Sequence, residues 1–260
     1  MSQWSVLFQK EWKESIRNYK WIWIPIVFIL LGVMQPVTSY FLPDILKNFG
    51  GLPEGIEFPL PTGPIVLAET LGQFSQIGFL VLALAFMGTV AGEKNSGTQI
   101  MVLVKPVSTS AYILAKWIHM SLLGLASYFI GFLLAVYYTF ELIETVAISN
   151  VIKGAFVYSI GLLFVITLVL LFSSIFKSTA AVAFLSLGIT IAFSLLSSLL
   201  PDIMKWSPGT LTNHSYRFFE TGSGGDGFIL SIIVTIGLII SMIFLSIFVF
   251  KKKEIASHTT

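Results

Sequence analysis

Six long stretches without a single Asp, Glu, Lys or Arg divide this chain of 260 residues. Each is 23 or 24 residues long, and together they cover Trp21–Pro43, Thr70–Gly92, Trp117–Phe140, Gly154–Phe176, Ser178–Pro201 and Gly227–Phe250. About 20 apolar residues of helix cross a bilayer core of roughly 30 Å. These runs lack the alternation of polar and apolar residues that is typical of barrel strands. The sequence therefore predicts an all-α membrane protein with six transmembrane helices in a single domain, 1–260.

The composition excludes several other classes of protein. Hydrophobic residues make up 55% and charged residues 11% of the chain, whereas soluble domains are about 25% charged. The chain has no cysteine, which excludes a disulfide scaffold, a thiol catalyst and a Cys-ligated metal site. Acids and bases nearly cancel, and the net charge of +2 gives no indication about nucleic acid. From the apolar composition we expect the lipid bilayer, and no nucleic acid, as a partner.

The distribution of Lys and Arg predicts the orientation of the chain. If the N-terminus is cytoplasmic, 11 of these residues lie inside and only four outside. The four are Lys47, Lys153, Lys205 and Arg217. Positive charge is enriched in cytoplasmic loops, so both termini are predicted to be cytoplasmic. We expect a multi-pass protein of the bacterial cytoplasmic (inner) membrane.

The first 20 residues have the pattern of an amphipathic helix at the membrane interface. Aromatic and aliphatic residues recur at helical spacing on one side, and cations lie on the other; the two sets are Trp4, Phe8, Trp12, Ile16 and Tyr19, and Lys10, Lys13, Arg17 and Lys20. Such a helix places its apolar face among lipid headgroups. It is either a plain anchor or a lever that carries force from a cytoplasmic partner.

Two connections between the apolar runs also carry structural signals. In the cytoplasmic loop 93–116, an apolar stretch is followed by Pro106, which disfavours helix at the residue before it. We expect either a short helix along the inner face or a surface loop. The segment Pro201–Gly227 is too rich in Trp, Tyr, Phe and Leu for a free loop. A short helix or a re-entrant pair at the outer interface is expected there.

The sequence contains no motif for catalysis. It lacks a Walker lysine loop, an H-E-x-x-H helix and a G-x-S-x-G turn. Its three histidines, His119, His214 and His258, fall on different segments. We therefore predict that the chain is not an enzyme and that it carries no catalytic residue, metal or cofactor of its own.

Small and weakly polar residues are the distinctive content of the apolar runs. Ser186, Thr190, Ser194 and Ser198 recur every four residues in the fifth run, and Gln73 and Gln76 lie in the second. Ser127 and Gly131 form a small-xxx-small pair in the third run. Such residues allow helices to approach closely. The stripe of the fifth run and the two glutamines indicate either helix packing or the lining of a substrate path or a subunit interface.

Several segments together resemble one known family. They are Phe8–Glu14 in the N-terminal helix, Glu93–Thr98 and Lys105–Ser108 in the loop after the second run, and Phe172–Ala180 between the fourth and fifth runs. With six spans and both ends inside, the chain resembles the permease subunits of bacterial ABC exporters of the second type. The permease of the nitrous-oxide-reductase maturation system and its relatives show the same arrangement.

The resemblance implies partners and roles that the residues alone do not indicate. Two copies of a separate ATPase subunit would bind ATP and Mg, and a second permease, identical or homologous, would complete the substrate path. Residues matching the family's coupling loop would contact the ATPase, namely Glu93, Gly97, Thr98 and Pro106, supported by Trp12 and Arg17. Glu93→Arg is then expected to leave the fold intact and to uncouple ATP use from transport.

Two other functions stay open at this stage. A stand-alone secondary carrier would need an ion or proton site, for which the charge-free runs offer no formal charge. A membrane sensor or scaffold that transports nothing is harder to exclude from sequence. The identity of the substrate, and the choice between homodimer and heterodimer, are not determined by the residues.

Overall fold

The computed structural model describes residues 3–49, 59–98 and 108–258, and every regular element in these ranges is helical. Six of the helices are long and apolar enough to cross a membrane, which confirms the predicted number. We call them spans 1 to 6. Their bounds are Lys20–Lys47, Gly63–Asn95, Thr109–Leu142, Ile148–Ile175, Thr179–Leu199 and Phe228–Lys252.

Shorter elements accompany the spans. The N-terminal helix, Gln3–Arg17, precedes span 1, whose helix continues to Phe49. Span 2 is segmented into Gly63–Gln73, a π-helical segment Phe74–Gly78, Phe79–Phe86 and Gly88–Asn95. Between spans 5 and 6 lie a 3₁₀ turn, Pro208–Thr210, and the helix Leu211–Thr221, and the helix of span 6 continues to His258.

The connectivity divides these elements between two faces of the bundle. Because successive spans run in opposite directions, the N-terminal helix lies at the same face as the end of span 2 and the start of span 3. We call this the N-terminal face. Helix Leu211–Thr221 lies at the opposite face, and we call it the far helix. It packs against span 4 and the first segment of span 2.

The helices extend beyond the charge-free runs. Span 3 begins at Thr109, where Ser108 caps it by accepting a hydrogen bond from the Ala111 backbone N–H at 3.3 Å. Lys116 therefore lies inside the helix, and Glu93 lies inside the last helical segment of span 2. The helices are therefore longer than the predicted spans and carry formal charges near their ends, because a helix ends where its backbone loses partners rather than at the first charge.

Span 4 occupies the centre of the bundle. In the most apolar 18-residue stretch of span 4, 72% of the residues are buried, compared with 17% in span 5 and 22% in span 6. A run of consecutive residues from Phe164 to Leu171 is buried among the neighbouring spans. Spans 5 and 6 therefore present most of their apolar surface outward, to lipid or to another chain.

Spans 1 and 3 approach each other backbone to backbone. A Cβ added to Gly32 would lie 2.1 Å from the Gly131 carbonyl oxygen, and one added to Gly131 would lie 2.4 Å from the Phe28 carbonyl oxygen. Only glycine fits such a crossing. This confirms that Gly131 serves helix packing, as the Ser127/Gly131 spacing predicts.

The N-terminal segment forms the predicted helix, but its contact face differs from the predicted one. The residues buried against the bundle are Leu7, Glu11 and Ser15. Lys10 forms ion pairs with acidic side chains, and Lys20 donates to the Ala85 carbonyl oxygen at 2.7 Å. Two of the four cations expected to point away thus turn inward, because acceptors inside the bundle attract them.

Two further predictions concern the connections between spans. The far helix corresponds to the predicted short helix between spans 5 and 6; at its closest approach, a Cβ on Gly154 would lie 2.3 Å from the Phe219 ring. The predicted coupling helix in the loop 93–116 falls mainly on residues 99–107. These, with Pro106, lie outside the described residues.

Candidate functional site

The π-helical segment of span 2 forms one wall of a cavity of about 510 Å³. In this segment the Phe79 backbone N–H bonds to the Phe74 carbonyl oxygen, one residue further back than in an α-helix. Such bulges change the direction of the side chains and are frequent at functional sites. Here the wall carries Ser75 and Gln76. Spans 4 and 5, the 3₁₀ turn and the far helix complete the cavity.

The cavity has a cluster of hydroxyl groups where three elements meet. The Ser75 Oγ atom lies 3.1 Å from the Tyr158 hydroxyl of span 4 and 3.4 Å from the Thr212 Oγ1 atom of the far helix. Ser75 also hydrogen-bonds to the Leu71 carbonyl oxygen at 2.9 Å. These contacts tie spans 2 and 4 and the far helix together at one polar point.

Four of the six predicted path residues line this cavity: Gln76, Thr190, Ser194 and Ser198. Gln76, Ser194 and Ser198 are exposed, as is Asn213 of the far helix. No side-chain hydrogen-bond partner for these four exposed residues occurs in the described part of the chain. The cavity therefore offers polar groups that are available to water or to a ligand.

The other two predicted path residues do not line the cavity. Gln73 donates to the Gln35 side-chain oxygen of span 1, and Ser186 is buried with its hydroxyl donating to the Val182 carbonyl oxygen at 2.7 Å. For Ser186, the reason lies in helix geometry. A four-residue step turns an α-helix by about 400°, so Ser186 and Ser198 differ by about 120° around span 5.

A second polar site lies at the N-terminal face and centres on Lys116. This lysine is 1% exposed, and its Nζ atom lies 2.7 Å from the Glu11 Oε1 atom and 2.9 Å from the Glu93 Oε1 atom. Glu11 belongs to the N-terminal helix and Glu93 to the end of span 2. One buried ammonium group thus connects three separate elements of the chain.

Two more side chains complete this site, which we call the charged junction (Lys10, Glu11, Glu93, Tyr112 and Lys116). Lys10 pairs with Glu93, and the Tyr112 hydroxyl donates to the Glu93 carboxylate. The two ammonium groups balance the two carboxylates. Burial and Lys116 lower the pKa of Lys10, but the carboxylates of Glu11 and Glu93 outweigh them and raise it above its ordinary value. Lys10 is therefore charged at physiological pH.

Three carboxylates lie close together at the charged junction, as they would in a metal site. Oxygen atoms of Glu11, Glu14 and Glu93 lie within 4.8 Å of one another, a spacing that could hold a cation. Lys10 and Lys116 already supply positive charge to these carboxylates. The arrangement is that of an ion-pair network linking helices.

A cluster of aromatic rings also holds the N-terminal helix in place. The Ser15 Oγ atom lies 2.8 Å from the His119 Nε2 atom, and the His119 ring packs edge-on against Phe8, Trp12 and Trp21. Trp12 also contacts Trp21, with ring centroids 4.5 Å apart. The N-terminal helix is thereby attached to spans 1 and 3 by rings as well as by charges.

The predicted coupling residues occupy different environments. Glu93 is buried in the charged junction, and Trp12 is a half-buried residue of the N-terminal helix that packs on Trp21 of span 1. Arg17 and Thr98 are exposed at the N-terminal face, and Gly97 has a φ of +72°, which favours glycine. Among the predicted coupling residues that the structure describes, the exposed Arg17 and Thr98, with Gly97 next to Thr98, are placed for direct contact with a partner.

Sequence reasoning missed the partners in both sites. In the cavity these are Ser75, Tyr158, Thr212 and Asn213, and in the charged junction Glu11, Tyr112 and Lys116. A signal for the junction was present: Glu11 lies four residues from Leu7 and four from Ser15, on the buried face of the helix. The exact match of three helix ends is a tertiary property that no local spacing encodes.

These features define an all-helical, multi-pass membrane protein with a polar cavity among its spans and a buried ion-pair network at one face. Residues 58–256 match the family described as "Protein of unknown function (DUF2705)". The chain belongs to this family.

A relative supports the same class of protein. Over 250 residues the chain is 34% identical to the uncharacterized transmembrane protein YxlG of Bacillus subtilis (strain 168). The match covers 95% of this chain and 97% of the relative. A transmembrane relative of nearly equal length agrees with a multi-pass membrane protein.

Proposed function

We propose that the chain is the permease subunit of an ATP-driven ABC exporter of the second type. A second permease, identical or homologous, completes the substrate path, and two copies of a separate ATPase subunit, with ATP and Mg, drive it. The N-terminal face is then the cytoplasmic face of the bacterial cytoplasmic membrane. The observation that carries the proposal is the polar cavity between spans 2, 4 and 5.

The cavity supports transport because of the cost of leaving polar groups unpaired in lipid. An amide or hydroxyl group without a partner in an apolar medium costs several kcal/mol. Gln76, Ser194, Ser198 and Asn213 point into the cavity without a side-chain partner in the described ranges. Water or a polar substrate would satisfy them, whereas a purely structural span would gain nothing from them.

The chemistry of the cavity favours an external source of energy. None of its described lining residues is Asp, Glu, Lys, Arg or His. Ion-coupled carriers use ionisable groups within the membrane to bind the driving ion or proton. A path lined by hydroxyl and amide groups suits a permease whose energy comes from ATP bound to another subunit.

The charged junction supplies a route from such a subunit to the spans. Glu93 lies four residues before Gly97, within the segment that resembles the coupling loop, and it is tied to the N-terminal helix and span 3 through Lys116. A displacement of residues 93–98 would therefore move three elements together. Because Glu93 is enclosed by Lys10 and Lys116, Glu93→Arg would bring three cations together and disturb the junction itself.

A gentle purification of the tagged chain from its own cells tests the proposal. We expect an ATPase with a Walker lysine loop to co-purify, with one ATPase per tagged chain if the two permeases are identical and two if they differ, and the complex to hydrolyse ATP. Thr98→Arg, on the exposed surface, should weaken this association, while Ser223→Arg on the far face should not. Recovery of the chain without a nucleotide-binding partner would favour a carrier or a sensor.

Cysteine labelling tests whether the cavity contains water. The chain has no native cysteine, so single substitutions report one site each. Ser194→Cys should react with a water-soluble maleimide at least about ten-fold faster than Ala192→Cys, because thiolate formation requires water. Ala192 lies two residues away on span 5, is exposed, and does not line the cavity. Equal rates for the two variants would argue against a hydrated path.

A further inference from the structure

A second cavity of about 730 Å³ lies on the outer surface of the bundle, between spans 3, 4 and 6 and the far helix. Ten of its twelve lining residues are apolar. Of the other two, Ser159 uses its hydroxyl to donate to the Ala155 carbonyl oxygen at 2.9 Å. The last is Lys153, which is exposed and has no ion-pair partner in the described part of the chain.

The length of this groove matches one leaflet of a bilayer. Along span 4 it extends from Ile152 to Leu163, a rise of eleven residues and therefore about 17 Å of helix. Half of a bilayer core of roughly 30 Å has a similar depth. A transmembrane helix of a partner would need a groove along the whole span, whereas a lipid chain needs only one leaflet.

The charge lies at the end where a lipid headgroup would lie. Lys153 is in the second turn of span 4, at the far face, and the groove continues from it toward the middle of the membrane along Phe156, Ile160 and Leu163. Phe156 is 61% exposed, and its ring packs edge-on against Phe129 of span 3, with ring centroids 5.9 Å apart. Lysine side chains extend along apolar surfaces to place their ammonium group among headgroups.

We propose that this groove is a binding site for one anionic phospholipid. Its acyl chain lies along Phe156, Ile160 and Leu163, and its phosphate pairs with the Lys153 ammonium group. The site is separate from the polar cavity and does not depend on the exporter function. A lipid bound here contacts span 6 and the far helix through Phe228 and Phe218, and so stabilises their packing on span 4.

Native mass spectrometry of the full chain tests this proposal. The protein, purified in a non-ionic detergent, is mixed with equal amounts of phosphatidylglycerol and phosphatidylcholine that carry the same acyl chains. We expect about a five-fold preference for the first bound phosphatidylglycerol, the factor that one lysine contributes near anionic lipid. Lys153→Gln should reduce this preference to about one, and Lys153→Arg should keep it.

The controls separate this site from general attraction to the surface. Lys47→Gln removes another cation at the far face, outside the groove, and should retain the five-fold preference. Ile160→Trp fills the groove and should lower the occupancy of the first bound lipid of either kind. An equal affinity of the wild-type chain for both lipids would overturn the proposal. So would a preference that survives Lys153→Gln, or a groove covered by a second copy of the chain with no lipid retained.

Discussion

Replacing Lys116 by methionine is expected to lower the free energy of unfolding by about 3–5 kcal/mol, which is the cost of removing one partner of a buried ion pair. The variant leaves the carboxylates of Glu11 and Glu93 facing each other without their shared ammonium group. Methionine is unbranched like lysine and shorter by one heavy atom, so it keeps most of the packing of the aliphatic chain. Unfolding by sodium dodecyl sulfate in mixed micelles, followed by circular dichroism, measures the change.

Two comparison variants show whether charge is the cause. Lys13→Met alters an exposed lysine on the same N-terminal helix and should change stability by no more than about 0.5 kcal/mol. The triple variant Glu11→Gln, Glu93→Gln and Lys116→Met removes the three buried charges and leaves Lys10, which is partly exposed and also pairs with Glu14. It should recover most of the loss, because apolar or neutral replacements of buried ion pairs are often tolerated. If Lys116→Met were as stable as Lys13→Met, the buried ion pairs of Lys116 would not stabilise the fold.

Gly131→Leu is expected to destabilise the bundle by about 3 kcal/mol or more. Inserting methylene groups into a packed interior costs about 1–3 kcal/mol when side chains can adjust. At Gly131 the obstacle is the backbone of Phe28, 2.4 Å from the position of a Cβ, and backbone atoms cannot rotate away. Spans 1 and 3 must separate, and the same detergent unfolding assay detects the loss.

Gly237 provides the matched control for this change. It lies in span 6, and a Cβ added there would meet nothing within 4 Å. Gly237→Leu adds the same apolar bulk to a membrane helix and should leave stability within about 0.5 kcal/mol of wild type. Gly131→Ala should fall between the two. If both leucine variants unfold alike, spans 1 and 3 do not cross at Gly131.

The number of spans was predictable from sequence because the relevant property is local. A run of 23 or 24 residues without formal charge can satisfy its backbone in lipid only as a helix, whatever surrounds it. The ends of the helices were less predictable. The runs placed the start of the third helix at Trp117, whereas Ser108 caps it nine residues earlier, so that Lys116 became part of the helix.

The candidate sites were predictable only in part. The repeat of small polar residues in span 5 identified Thr190, Ser194 and Ser198, which line the cavity with Gln76. It could not exclude Ser186, because a four-residue repeat turns slowly around a helix and the neighbouring helices decide which part of the stripe stays open. Similarly, amphipathicity identified the N-terminal helix but not Glu11 as a buried residue.

The sequence by itself thus determined that the chain is a six-span helical membrane protein. Each segment in lipid must satisfy its own backbone N–H and C=O groups, whatever the other segments do. The charged junction, the π-helical wall of the polar cavity and the crossing of Gly32 with Gly131 were decided by the tertiary structure alone. Each depends on distances between residues far apart in the chain. Lys116 can remain buried only because Glu11, 105 positions away, and Glu93, 23 positions away, are brought within 3 Å of its ammonium group.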